Sequence, residues 1–368
     1  MLFWAKLEIP EAKNANNKQI TKPNPEAPNH AHWNFEIGTY PCLDAGTSLG
    51  FGALSFALSG LRFLKMKVIF LGTGAGLPTL RRNTSAIAAI REGEWMLFDC
   101  GEGTQIQMQK AGLKPGKLSR IFITHLHGDH FYGLIGLLTS LQLSGRDKPL
   151  DLYGPYGLNN YLAFMQDLSL FRFSFTIAVH EAEPETEASW ELPDFTIEAL
   201  PLEHRIHTLG FRLQFNALAG KFDAAKAEML GIPAGPERNR LLHGESITLS
   251  NGDIIHPEVV VGPARPGQVV TICGDSRPCE NAVRLARDAD LLVHEATFDD
   301  PRRDLAEVSR HSTASEAAEI ARQAHASKLV LIHISSRIGE DEEKQMLATA
   351  QSRFPNTIIA RDLLTCEL

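Results

Sequence analysis

Residues Thr124–His130 read THLHGDH, directly after a short apolar segment at Arg120–Ile123. Three histidines and an aspartate so close together have metal-ligating chemistry. Neutral imidazoles with a carboxylate suit zinc, and also manganese or iron. In an extended chain, side chains two apart face the same way. His125 and His127 can therefore grip one ion, while Asp129 and His130, on the turn into the next helix, reach a second. Four ligands at this spacing outweigh the alternative of a polar loop with incidental histidines. Two close ions would lower the pKa of a shared water toward neutrality and clamp the attacking and leaving oxygens of a displacement.

The elements that must carry these residues follow from the apolar patterning. From Met66 onward, strands and helices alternate. Strands are expected at Lys67–Leu71, Ser85–Ile90, Trp95–Phe98, Arg120–Ile123, Leu150–Tyr153, Ser174–Val179, Phe195–Leu200, Gly210–Gln214, Val269–Cys273, Leu291–Val293 and Lys328–Ile332. Helices are expected at Glu102–Ala111, Phe131–Leu143, Glu280–Arg287, Thr313–Ala326 and Glu340–Phe354. Many strands, some in hairpins and others flanked by helices, imply two sheets between helical layers. Asn216–Pro257 breaks the texture: a Gly/Pro-rich turn and a strand-like pair around Asn251-Gly252 read as a protruding arm. Residues 1–65 are Asn- and Pro-rich, lack periodicity and read as an N-terminal extension, flexible or outside the functional domain; residues 66–368 read as that domain.

Composition bounds the function. The chain has 368 residues, 43% hydrophobic and 22% charged, which excludes a mostly disordered chain. Five cysteines are too few for a disulfide scaffold. A net charge of −8 argues against a general nucleic-acid coat. Ser48–Leu64 is apolar but short and interrupted by glycines and Arg62, so no membrane span is expected and the chain reads as cytoplasmic.

The spacing in Thr124–His130 resembles the H-x-H-x-D-H signature of the metallo-β-lactamase superfamily. That resemblance implies a four-layer αββα sandwich with further ligands at strand ends. His204 after Leu200–Leu202, Asp275 after Val269–Ile272 and His333 after Lys328–Ile332 fit. His207 rivals His204, which is preferred as nearer the strand end. The resemblance makes Asp275 the bridge between two ions, and has Asp129 bind one ion while orienting the nucleophile.

Further motifs are similar to those of the ribonuclease Z family, the tRNA 3′-processing endonucleases: LGTGAGLPTLRRNTS (Leu71–Ser85), FDCGEGTQ (Phe98–Gln105), ITHLHGDHFYGLIGLL (Ile123–Leu138), VHEATF (Val293–Phe298), HSTASEAA (His311–Ala318) and LIHISSR (Leu331–Arg337). A histidine oriented by a carboxylate makes a good general acid. The resemblance gives His311 that role and Glu295 the task of orienting it; the rival is a surface histidine beside an N-cap at Ser312 or Thr313. It also implies two divalent ions per subunit, zinc with manganese as the alternative. The expected products are a 3′-hydroxyl at the discriminator base and a 5′-phosphate on the trailer. A homodimer is expected, in which one subunit's arm holds precursor tRNA for the other's site. Substrate contacts are expected at Arg82, Asn83, Arg337, Arg238 and Arg240. Leu80 stands where the family's P-x-K-x-R-N loop has lysine, with Arg81 as the replacement charge. The arm holds five acidic residues against four basic ones, so its contacts must be local. The alternatives are a broader metal-dependent phosphodiesterase, a 3′ exonuclease, or a non-catalytic RNA-binding member.

Overall fold

The computed structural model describes residues 66–368. The N-terminal extension expected over residues 1–65, with Ser48–Leu64 in it, lies outside the described residues. Two seven-stranded sheets face each other. Across the first sheet the order is Thr365–Glu367, Lys67–Gly72, Ala86–Arg91, Glu94–Phe98, Leu118–Phe122, Leu150–Pro155 and Ile177–Ala182. Across the second it is Thr357–Ile359, Leu329–Ile332, Leu291–Glu295, Val269–Cys273, Thr208–Phe215, Phe195–Leu202 and Ala188–Glu191.

The central strands are continuous apolar runs because both faces are covered. Between the sheets, Phe98, Phe122 and Tyr153 form a stacked ladder with centroids 4.5 and 5.0 Å apart, and Phe211 from the other sheet meets Phe122 edge-on at 5.3 Å. Each such ring contributes roughly 1.5–3 kcal/mol by burial. The outer face of the first sheet is covered by Leu134–Leu143 and Leu158–Ser169, through Leu134, Leu137, Leu141 and Leu158. The outer face of the second is covered by Glu280–Ala286, Ala314–Gln323 and Glu340–Arg353, through Leu285, Ala318, Ile320 and Met346. This is the expected αββα sandwich.

The pairing directions bring the candidate ligands together. Val269–Cys273, Leu291–Glu295 and Leu329–Ile332 run parallel, so their C-terminal ends lie side by side. Thr208–Phe215 pairs antiparallel with Val269–Cys273 and Phe195–Leu202, which puts the Leu202 end on the same edge. In the first sheet Glu94–Phe98 and Leu118–Phe122 are parallel and end at the facing edge. The Leu209 N–H donates to Thr124 O at 2.9 Å, stitching the two edges together.

Some expectations needed correction. The helix expected from Phe131 is two pieces, a turn at Gly128–Phe131 and a helix from Leu134. The break is at Gly133, whose Cα lies so close to the Gly101 carbonyl that a Cβ would sit 2.1 Å from it. Helices Leu158–Ser169 and Arg303–Ser309 and the short edge strands Ala188–Glu191, Thr357–Ile359 and Thr365–Glu367 were not anticipated. The arm is more than a turn and a hairpin. The hairpin Ile247–Thr248/Ile254–Ile255 is present around Asn251-Gly252, but two helices, Ala224–Met229 and Pro236–Leu242, precede it. Phe222, Ala227, Ile232, Leu241, Ile247, Ile255 and Val260 give the arm a small core of its own. Among the described residues no helix is long and apolar enough to cross a membrane.

Candidate active site

Seven side chains from both sheets converge. His125, His127, His204 and Asp275 form one cluster, and Asp129, His130 and His333 a second, each with ligand atoms within 4.8 Å of one another. Asp275 Oδ2 stands between them, 3.7 Å from His125 Nε2, 3.4 Å from His130 Nε2 and 3.3 Å from His333 Nε2. Within the first cluster, His127 Nδ1 is 3.0 Å from His125 Nε2 and 3.3 Å from His204 Nε2. Within the second, His333 Nε2 is 3.2 Å from both His130 Nε2 and Asp129 Oδ2. His207 is outside both clusters; burial depresses its imidazole, and the negative charges it feels are Glu183 and Glu185.

The outer nitrogens fix the tautomers. The Asp99 carboxylate can only accept, so His130 Nδ1 donates to Asp99 Oδ2 at 2.7 Å. The Thr124 hydroxyl donates to the same oxygen at 3.0 Å, which leaves its lone pair for His125 Nδ1 at 2.9 Å. The Thr297 hydroxyl donates to Glu295 Oε2 at 2.6 Å and accepts from His333 Nδ1 at 2.8 Å. His204 Nδ1 donates to the Arg310 carbonyl at 2.9 Å. Each of these four rings therefore presents Nε2 to the clusters, supported through Nδ1 as metal-ligating histidines commonly are.

Electrostatics agree with the donor chemistry. Burial holds His125 well below the usual imidazole range, and lowers His127 and His204. Burial would raise Asp129 and Asp275, but the surrounding histidines outweigh it and keep both carboxyls ionised. At His130, burial is overcome by Asp275 and Asp99, which lift the ring, a measure of how strongly this corner draws positive charge. Inward-facing imidazole nitrogens with ionised carboxylates fit two divalent ions of the zinc or manganese type.

Asp99 and Thr297 escaped the sequence reading, although both lie in quoted motifs at strand ends. Asp99 has a φ of 56° and His333 a φ of 57°. Such left-handed backbone in non-glycine residues stores strain where function requires a direction.

His311 sits beside the clusters. Its Nδ1 is 2.8 Å from Glu295 Oε1 and 3.8 Å from Asp275 Oδ2. With Asp275 and His333 it could contribute to a third ligand group, but the nitrogen on that side is the one bonded to Glu295. Burial would lower the His311 pKa; the Glu295 carboxylate outweighs it and raises it to about 9. Thr313 does cap the next helix, in a box with Glu316, so the cap lies two residues after His311 and does not compete with it.

The expected substrate contacts divide. Arg82 is buried: it donates to Thr73 Oγ1 and Ala360 O, both at 2.6 Å, and pairs with Glu343 at 2.9 Å. Asn83 donates from Nδ2 to Glu102 O at 2.8 Å. Arg238 donates to Ile232 O and lies over the Phe222 ring, while Arg240 pairs with Glu245 at 2.9 Å. Arg82, Asn83 and Arg238 are engaged within the protein, whereas Arg240 is exposed and its pair with Glu245 lies at the surface. Arg337 is exposed beside the site, and Arg81 is half-exposed, 3.5 Å from Glu340. The Gly76 N–H, from the same loop as Arg81, donates to Asp129 Oδ2 at 2.7 Å.

Comparison with known proteins places this site in a family. The family described as anti-Pycsar protein Apyc1 matches residues 66–219, which end before Glu295 and His311. A ribonuclease Z of Enterococcus faecalis is 41% identical over 307 residues, covering 82% of this chain and 97% of the relative. A ribonuclease Z of Methanosarcina acetivorans is 42% identical over 303 residues, covering 82% and 98%. Among solved structures, the short form of human tRNase Z superposes with a TM-score of 0.59 at 32% identity, over 82% of this chain and 98% of that one. The metallo-β-lactamase-fold protein YhfI of Bacillus subtilis, at 19% identity and a TM-score of 0.59, covers 83% of this chain and all of its own, and shares the fold alone. Identity above 40% across nearly the whole length of two relatives, on an αββα sandwich with converging ligands, means that the chain belongs to the ribonuclease Z family.

Proposed function

We propose that the chain is a metal-dependent endoribonuclease that removes the 3′ trailer of precursor tRNA just 3′ of the discriminator base, leaving a 3′-hydroxyl on the tRNA. The observation that carries this reading is a ligand set for two ions with a separate histidine–glutamate pair beside it. Two divalent ions, taken as zinc, would be held by His125, His127 and His204 on one side and Asp129, His130 and His333 on the other, with Asp275 shared. When bound, they would lower the pKa of water toward neutrality and neutralise phosphate charge.

The chain's own groups do the rest. Asp129, held by the Gly76 N–H, orients the attacking water. Glu295 holds His311 through Nδ1, so Nε2 is the atom that gives a proton to the leaving 3′ oxygen. Glu295 is itself pinned by the Ser276 N–H at 2.9 Å and the Thr297 N–H at 3.0 Å. Arg337 is exposed and placed to meet phosphate, and the half-exposed Arg81 would do so by giving up its contacts with Glu340 and the Ile338 carbonyl. The arm grips tRNA for the partner subunit's site in a cytoplasmic homodimer, and residues 66–368 form the nuclease domain.

The test is incubation of purified full-length protein with 3′-labelled precursor tRNA, with and without chelator, mapping the product ends. A chelator-sensitive cut at the discriminator supports the reading. RNA binding without cleavage, after zinc or manganese is supplied, would make the chain a binding protein instead.

A further inference from the structure

Two turns from distant parts of the chain are clasped together at one edge of the clusters. His204 follows the strand Phe195–Leu202; Arg310 ends the helix Arg303–Ser309 and immediately precedes His311. Their contact is reciprocal. His204 Nδ1 donates to the Arg310 carbonyl at 2.9 Å, and Arg310 Nη1 donates to the His204 carbonyl at 2.9 Å. Arg205 adds a third bond, from Nη2 to Val308 O at 3.0 Å. The His204 and His311 rings then pack with centroids 4.8 Å apart.

The residue type at this position is telling. Arg310 has a φ of 59°, at a helix end where left-handed backbone favours glycine. Glycine would supply the turn and the carbonyl without strain, but not the guanidinium. Here the guanidinium closes the ring of bonds.

We infer that Arg310 is a positioning residue that locks His204 and His311 into one unit. Its carbonyl sets the His204 tautomer so that Nε2 faces the ligand cluster. Its guanidinium stops the two turns from sliding apart, and so keeps the proton donor at a constant distance from the ion that His204 would hold. The inference rests on reading His204 as a metal ligand. Loss of such outer support commonly weakens metal affinity or activity about 10–100-fold.

The test uses Arg310→Gly, which suits the backbone and keeps the carbonyl while deleting the guanidinium, and Arg310→Lys, which restores charge without the fork. Each full-length protein is stripped with chelator, checked for folding by thermal unfolding, and titrated with Zn²⁺ by calorimetry. The expected result for Arg310→Gly is an affinity about 10-fold weaker for one of two ions, the other unchanged. The kcat on precursor tRNA should fall with KM retained, and Arg310→Lys should lie between. Two wild-type isotherm steps in Arg310→Gly, or equal weakening of both, would overturn the clasp while leaving the metal centre intact. A wild-type protein that binds no zinc would overturn the metal-centre reading, and the clasp with it.

Discussion

His311 Nδ1 lies 2.8 Å from Glu295 Oε1, and the other oxygen of that carboxylate accepts from the Thr297 hydroxyl at 2.6 Å. Thr297 also holds the candidate ligand His333. The proposed proton donor and the proposed metal ligands thus share one buried scaffold, with His311 free to act through its other nitrogen. His311→Ala should slow precursor-tRNA cleavage by about 10²–10⁴. Metal content should stay at the wild-type value; turnover and elemental analysis together check this, and unaltered turnover would end the assignment.

Asp99 acts on the site through two neighbours, His130 and Thr124. Asp99→Asn offers an amide where the imidazole needs an acceptor. Metal affinity should drop about 10–100-fold, read as competition against a chelator of known strength. An unchanged competition curve would mean that His130 is oriented by its packing alone.

Arg82 faces inward, paired with Glu343, which is 8% exposed. Arg82→Ala leaves that carboxylate with only Arg361, 3.5 Å away. The loss should be about 3 kcal/mol of folding stability, measured by urea unfolding, with KM for precursor tRNA retained. A raised KM at full stability would return Arg82 to the RNA contacts.

The stem of the arm has two glycines whose backbones touch: a Cβ on Gly220 would lie 1.8 Å from the Gly262 carbonyl oxygen. Since the arm has its own core, joining residue 220 to residue 262 should remove it cleanly. Cleavage of precursor tRNA should be lost, while hydrolysis of a small phosphodiester and the melting temperature are kept. A fall in all three would make the arm part of the main fold.

Burial pushes the Cys100 thiol up from 9.0 to about 12, and raises Cys273 further by the same cause. Above pH 9 the unfolded chain releases protons that these folded thiols retain. Fewer protons on the unfolded state means stability falls as pH rises, by up to about 1.4 kcal/mol per pH unit for each such thiol. Urea unfolding of the wild type and of Cys100→Ala between pH 9 and 11 checks this: the mutant's slope should be shallower. At pH 8, alkylation should reach the half-buried Cys279 before Cys100 or Cys273.

The candidate ligands were legible because each sits where an apolar strand ends, and such strands are the strongest signal a sequence carries. The choice of His204 over His207 followed from the same rule. Asp99 and Thr297 were not legible in role, because support for a neighbouring ring is a matter of direction and has no spacing. Direction was not legible at Arg82 and Arg238 either: sequence gives a charge but not whether it turns inward. The arm's helices, six and seven residues long, have no lasting periodicity and depend on Ile232 and Leu241 packing beneath them.

His125, His127, Asp129 and His130 follow a strand of one sheet, and His204, Asp275 and His333 follow strands of the other. Neither sheet alone offers the complete candidate set, which exists only where the two edges meet. A chain with only one sheet formed would hold part of the candidate set, so the site belongs to the pair of sheets and to neither alone.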